Sequence, residues 1–330
     1  MPTTEVLRVA PDAPDPDALA RAVEVLRHGG LVAFPTETVY GLGADATCAD
    51  AVAKIFAAKG RPPTNPLIAH VCDVAMARRF AAHWPDAAER LAAAVWPGPA
   101  TLVVPKTADI PDLVTAGLDT VGLRVPATAV ARALIAGLGR PVAAPSANRS
   151  EHVSPTTAEH VLADLDGRID LVLDSGPTPV GIESTVVDVC SSPPRVLRPG
   201  PLDAERLAKL LARPVDIGAI ADVGARSPGQ HARHYAPTTP AVRVETRAEL
   251  DAVDLQSNDA LLFFGRRLDE FDCRTNTTSY ADPTIAAREL YGALRSLDAA
   301  GHARIVVLMP PPTPAWTAIR DRLVRATTPA

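Results

Sequence analysis

Short apolar runs alternate with amphipathic segments along the first 213 residues of this chain, and that alternation restricts the fold before any motif is considered. LVAFP (31–35), LIAHV (67–71), TLVVP (101–105), VGLRV (121–125), PVAAP (141–145), LVLD (171–174), STVVDV (184–189) and RVLRP (195–199) read as buried strands. Between them lie helical patterns. Asp15-Pro16 starts a helix whose Leu19, Ala22, Val23 and Leu26 share one face, and Gly29-Gly30 stops it. Val52, Ile55 and Phe56 mark the core face of a second helix, which ends at Gly60. Thr156 and Glu159 have the spacing of a capping box, opening a helix that carries Val161, Leu162 and Leu165. Strands and helices in this order predict an α/β domain.

The texture changes at Pro214. Residues 214–240 are rich in Gly and Pro and lack periodicity, which reads as a linker. Alternation then resumes with strands at 241–244, 260–264 and 304–309 and helices at 246–253, 283–299 and 313–326. The expected organisation is a domain over 1–213, a linker over 214–240, and a small Rossmann-like α/β domain with a parallel sheet over 241–330.

Composition narrows the function. Proline is one residue in ten (33 of 330), about twice ordinary usage, yet 47% of the chain is apolar, so the prolines punctuate a folded chain. A net charge of −5 disfavours a protein that coats nucleic acid by bulk charge, and no stable nucleic-acid binding is expected. Only Lys54, Lys59, Lys106 and Lys209 stand among 33 basic residues, so a retained lysine marks a place where arginine will not serve. The four cysteines are scattered, without a C-x-x-C pair, and no metal site of their own is expected. The N-terminus has no signal-peptide pattern, and no apolar run approaches the ~20 residues of a membrane span. The expectation is a cytoplasmic protein with no membrane association.

Four places could carry chemistry. There is no G-x-x-x-x-G-K-[ST] phosphate loop. Gly41, Gly43 and Ala46 match G-x-G-x-x-A, but PTETVY separates them from the strand, and residues 61–72 lack the acidic partner that a dinucleotide site needs. A glycine-permitted tight turn is the better reading there. Lys59-Gly60-Arg61-Pro62, followed by Asn65-Pro66 and His70, puts two cations and an amide on a rigid turn between helix and strand. That pattern suits either a compensated helix C-terminus or phosphate oxygens. Ala143-Ala144-Pro145-Ser146-Ala147-Asn148 brings a hydroxyl and an amide to the end of a small-residue strand, and nothing in its context makes Ser146 a nucleophile. Arg124, inside VGLRVP, needs an anionic partner if buried, whether an internal acid or a ligand.

FPTETVYGLG, KGRP-x-x-NPLI-x-H, WPGPATLVV, GLRVPA, APSANRS, GIESTVVD, LRPGPL and SPGQHARHYAP follow one another in this order, and together they resemble the threonylcarbamoyl-AMP synthase (YrdC-like) family in its long form with a C-terminal domain. The resemblance covers residues 20–240 motif by motif. It implies a twisted, mostly parallel and partly antiparallel sheet with flanking helices around a basic cavity. It also implies a reaction: L-threonine, bicarbonate and ATP, with Mg2+ on the phosphates, give threonylcarbamoyl-AMP and pyrophosphate. That product serves the t6A modification of tRNAs reading ANN codons, with separate proteins making the final transfer.

Carried onto matching positions, the resemblance gives Lys59, Arg61, Ser146 and Asn148 to the catalytic set. Thr38, His70, Arg124, Ala144 and Ser184 fall to threonine. Arg61, Asn65, Thr120, Ser146, Ser154, Arg198 and Tyr235 fall to ATP. Glu151 stands where the family usually has Gly, and is expected to face solvent. Residues 227–237, with hinges at Pro228 and Gly229 and with His231, Arg233, His234 and Tyr235, read as a lid. Two other functions compete. A carbamoyltransferase would need the C-x-x-C pairs and acylphosphatase domain of hydrogenase maturation proteins. A non-catalytic RNA-binding module would need basic runs interleaved with aromatics.

Overall fold

The structure, a computed structural model, describes residues 3–218, 235–265 and 277–330. They fall into two compact units. The first holds residues up to 150, Pro155–Pro179 and residues 183–218; the second holds Glu151–Ser154, Val180–Ile182 and the described residues from Tyr235 onward.

The first unit is built on one mixed sheet. In spatial order its strands are β1 (Glu5–Arg8), β8 (Leu171–Asp174), β2 (Val32–Pro35), β3 (Tyr40–Asp45), β7 (Val142–Ala143), β4 (Ile68–His70), β6 (Thr120–Arg124), β5 (Ala100–Pro105), β9 (Thr185–Asp188), β10 (Arg195–Arg198) and β11 (Asp216–Ile217). Its helices are α1 (Pro16–Arg27), α2 (Ala49–Lys59), α3 (Val74–Phe80), α4 (Asp86–Val95), α5 (Asp112–Thr115), α6 (Ala129–Leu138), α7 (Ala158–Leu165) and α8 (Ala204–Leu211). The sheet is mixed, as expected, with parallel and antiparallel neighbours equally frequent where the resemblance implied a parallel majority. The reason is local: β2 and β3 are joined by residues 36–39 alone, too few for a crossover, so they must run antiparallel.

The helix signals act as read at α1. The Asp15 carboxylate accepts from the Asp17 backbone N–H, Pro16 takes the first helical position, and Gly29 follows the last turn at φ 71°. At α7 the cap is one residue later than expected, because the Thr157 hydroxyl, not that of Thr156, accepts from the His160 N–H.

The turn expected at Gly41-Gly43 is corrected: both glycines lie inside β3, a buried interior strand of the sheet. A Cβ on Gly43 would meet Phe34 and Val142 side-chain carbons at 2.8 Å, so glycine here lets neighbouring strands bury large side chains. The turn is made upstream, at Thr36–Val39.

Asp216–Ile217 pairs with β10, so sheet structure extends into the segment read as linker. Most of the expected lid, including Pro228, Gly229, His231, Arg233 and His234, lies outside the described residues.

The second unit carries β12 (Ala241–Val244), β13 (Asp259–Phe264), β14 (Thr277–Tyr280), β15 (Arg304–Leu308) and β16 (Thr328–Pro329) in the order β14-β13-β15-β12-β16, all parallel. Helices α9 (Arg247–Ala252), α10 (Pro283–Ala299) and α11 (Thr317–Ala326) accompany them. Tyr235 is buried in this unit at φ 61°, its ring stacked on Tyr291 at 5.6 Å, with the Arg322 guanidinium 5.5 Å from its centroid. The segment Glu151–Ser154 is held in the same unit: Ala236 N–H donates to the Glu151 carbonyl at 2.9 Å, and Arg295 donates to that of Val153.

Candidate active site

The turn from β2 to β3 is shaped by one hydroxyl. Thr36 Oγ1 donates to the Val39 carbonyl at 2.7 Å and accepts from the Thr38 and Val39 backbone N–H groups. Thr38 Oγ1 lies 2.8 Å from Thr36 Oγ1. This side chain–backbone turn sets Glu37 and Thr38 in buried positions at one end of the sheet.

Helix α2 ends in a left-handed glycine. Gly60 has φ 63°, its N–H and that of Arg61 return to carbonyls of the last turn, and the chain leaves with Lys59 and Arg61 both buried. Lys59 Nζ donates to the Ser146 carbonyl at 2.5 Å, to the Asn148 carbonyl at 2.5 Å, and approaches Asn148 Oδ1 at 3.4 Å. The Lys59 carbonyl in turn accepts from Ser150 N–H at 2.8 Å. Burial, and then the charge of Arg61, hold the Lys59 ammonium well below its usual pKa. Arg61 Nη2 donates to the carbonyl of Pro66 at 3.1 Å and that of Asn65 at 3.4 Å. Asn65 is buried, and its Oδ1 has no hydrogen-bond partner.

Strand register assembles the next group. His70 pairs with Arg124 across β4–β6 and with Val142 across β4–β7, while Ala144 N–H donates to the Ile68 carbonyl. His70 is 3% exposed, with Phe34 edge-on at 6.1 Å and Nδ1 without a hydrogen-bond partner. Burial first, and then Arg124, lower its pKa to about 3, so the imidazole is neutral at physiological pH. Arg124 Nη2 lies 2.7 Å from Glu37 Oε1, with the two side chains only 4% and 8% exposed. The other Glu37 oxygen accepts from Ala127 N–H at 2.9 Å. The arginine's anionic partner is therefore internal.

Beside this group, Ser146 bridges to Gly41, and Ala147 N–H donates to the Tyr40 carbonyl. Ser184, just before β9, shares a 2.8 Å hydrogen bond with Thr101 Oγ1. Arg198, at the end of β10, forks around it. Its Nε and Nη2 donate to the Ser184 carbonyl at 3.1 and 3.0 Å, and Nη2 also donates to Ser184 Oγ at 3.1 Å.

Thr38, His70, Arg124 and Ala144 thus gather at the ends of neighbouring strands, and Lys59 ties Ser146 and Asn148 to α2. Thr120 stands apart from Arg124, at the opposite end of five-residue β6, which is about 13 Å of strand rise. Ser154 and Tyr235 belong to the second unit. Glu37, Thr36 and Thr101 were not singled out in the sequence. For Glu37 the signal was present: a buried arginine calls for an acid, and PTETVY holds one.

Comparison with known proteins adds to this geometry. A family model described as Telomere recombination matches residues 24–200, and one described as Threonylcarbamoyl-AMP synthase, C-terminal domain, matches residues 202–328. The chain is 40% identical over 323 residues to the threonylcarbamoyl-AMP synthase of Bacillus subtilis, covering 93% of this chain and 92% of that one. It is 42% identical over 292 residues to that of Pyrococcus abyssi, 85% of either chain. A crystal structure of Pyrococcus abyssi Sua5 complexed with L-threonine superposes with a TM-score of 0.88, at 37% identity, over 98% of this chain and 99% of that one. With both family models matched in order and relatives covered almost end to end, the chain belongs to the threonylcarbamoyl-AMP synthase family.

Proposed function

We propose that the chain makes threonylcarbamoyl-AMP, the product that its relatives' names print, by joining L-threonine, bicarbonate and ATP with release of pyrophosphate and water. The threonine amine forms a bond to the bicarbonate carbon and one bicarbonate oxygen leaves as water, giving N-carboxythreonine. Its carboxylate then forms a bond to the α-phosphorus of ATP, the bond to the bridging oxygen breaks, and its electron pair leaves on pyrophosphate. This step needs no protein nucleophile. It needs two anions held together and fixed donors where charge develops.

The observation that carries the reading is a pair of buried polar atoms left open, His70 Nδ1 beside Arg124 and Asn65 Oδ1 beside Arg61. Buried atoms of this kind ordinarily have partners, and here a ligand would supply them. In this assignment Thr38, His70, Arg124, Ala144 and Ser184 receive threonine. Arg61, Asn65, Thr120, Ser146 and Arg198 receive ATP. Ser154 and Tyr235 carry only the ATP-binding part that the resemblance implies.

Lys59 and Asn148 complete the catalytic set by fixing the loop around Ser146. Magnesium enters with the ATP substrate; among the described residues no group of three or more His, Cys, Asp and Glu could hold a metal ion unaided. The product would pass to separate proteins that complete t6A on tRNA. Among the described residues no helix is long and apolar enough to cross a membrane.

The test is pyrophosphate release measured with each substrate omitted in turn, with the product identified by mass. Release is expected only when threonine, bicarbonate and ATP are all present. Full release without threonine would overturn the reading.

A further inference from the structure

We propose that Glu37 is a positioning residue for threonine, holding the Arg124 guanidinium in place and cancelling its charge, so that the pocket favours a zwitterionic amino acid. The proposal rests on the assignment of Arg124 to threonine above. Both Glu37 oxygens are engaged, one with Arg124 Nη2 at 2.7 Å and one with the Ala127 backbone N–H at 2.9 Å. The carboxylate is therefore anchored to the chain just beyond β6 while it grips the arginine on that strand. Its own backbone is anchored as well, by the Thr36 turn on one side and by Thr128 Oγ1, which donates to the Pro35 carbonyl at 2.9 Å, on the other.

The electrostatics follow from that arrangement. Without Glu37, the groups given to threonine would carry one uncompensated buried cation, because Thr38, Ala144 and Ser184 are uncharged and His70 is neutral at physiological pH. A lone cation would attract the carboxylate of threonine but repel its ammonium group. With Glu37 in place those five groups and Glu37 carry no net charge and keep their positive end fixed, which matches a ligand with one charge of each sign. The Arg198 guanidinium on Ser184, given to ATP, is present with or without Glu37. Arg124 then serves as a directional donor more than as a net charge.

Threonine and ATP dissociation constants, measured separately by calorimetry on the full chain, test this in Glu37→Gln, Glu37→Asp and Arg124→Gln, with N-acetyl-L-threonine as a probe that keeps the carboxylate and loses the ammonium. Glu37→Gln is expected to weaken threonine at least 10-fold and leave ATP within 2-fold. It should also shift the ratio of N-acetylthreonine to threonine affinity at least 5-fold toward the anion. Glu37→Asp, which keeps the charge, should recover most of the threonine affinity and the wild-type ratio, and unchanged ATP binding shows that each variant is folded. If Arg124→Gln abolishes threonine binding while Glu37→Gln leaves it within 2-fold, the positioning role is wrong and the site assignment stands. Equal losses for threonine and ATP in Glu37→Gln, or a glutamate-to-aspartate change as harmful as glutamine, would also overturn it. Threonine binding unchanged in Arg124→Gln would remove the assignment on which it rests.

Discussion

Lys59 grips Asn148 twice, through the backbone carbonyl at 2.5 Å and the side-chain Oδ1 at 3.4 Å, and spends its remaining reach on the Ser146 carbonyl. One ammonium therefore joins the end of α2 to both ends of the Ser146–Asn148 loop. An arginine could not do this, since its planar fork does not converge on three oxygens around one point. That accounts for a lysine at this position in a chain with only four.

Lys59→Met keeps the stem and removes the clamp. It leaves buried carbonyls without donors, at a cost of about 1–3 kcal/mol. Pyrophosphate release should fall at least 100-fold, and Lys59→Arg should not restore it. A chemical-denaturation curve alongside the activity assay separates the two effects. A Lys59→Met enzyme with normal turnover would show that the loop holds its shape unaided.

Gly200 is fixed by close approach. A Cβ there would stand 2.4 Å from the Thr185 nitrogen and 2.8 Å from the Glu183 carbonyl oxygen. The Thr185 hydroxyl also ties this contact together, donating to the Leu202 carbonyl and accepting from its N–H, each at 2.9 Å. Gly200→Ala should cost about 1–3 kcal/mol by overpacking. Because the displaced backbone carries Ser184, threonine binding should weaken more than ATP binding. Calorimetry with each ligand measures the difference.

Much of this was legible in the sequence because the signals are local. Asp15-Pro16 and Gly60 act at the positions where they stand, and apolar runs such as LVAFP become buried strands. What was not legible depends on partners distant in the chain. β1 alternates half-buried and exposed residues, with none fully buried, and becomes a strand only by pairing with β8, more than 160 residues on. Gly43 reads as a turn residue until Phe34 and Val142 are seen to need its space. Glu37 becomes meaningful only once β6 brings Arg124 to it. The motif residues themselves were visible, but the support beneath Lys59 and Ser184 was not, since carbonyl acceptors carry no side-chain signature.

Glu151 is exposed, as expected, and it adopts φ 69°. That left-handed conformation costs a side chain with a Cβ about 1–2 kcal/mol, which glycine avoids at the expense of a more flexible unfolded chain. Glu151→Gly is therefore expected to stabilise the protein by up to about 1 kcal/mol, with pyrophosphate release unchanged within 2-fold. Thermal melts of the two proteins decide it, and a clear loss of stability would mean that the Glu151 side chain makes a favourable interaction in solution.

His70 makes acid stability a test of the site's electrostatics. Its pKa is lowered to about 3 in the fold, by burial and then by Arg124, against about 6.5 in the unfolded chain. Between those values the unfolded state binds a proton that the folded state does not. Stability must therefore fall as pH drops below 6.5, and His70 contributes nothing to the pH dependence near pH 7.5. By pH 5 its share of the loss is about 2 kcal/mol. His70→Gln removes the titrating group, so its urea-unfolding free energy should change less between pH 7.5 and pH 5 than that of the wild type, by about that amount. If both proteins lose the same stability over this interval, His70 takes up its proton in the fold as readily as in the unfolded chain, and the lowering of its pKa by burial and Arg124 is wrong.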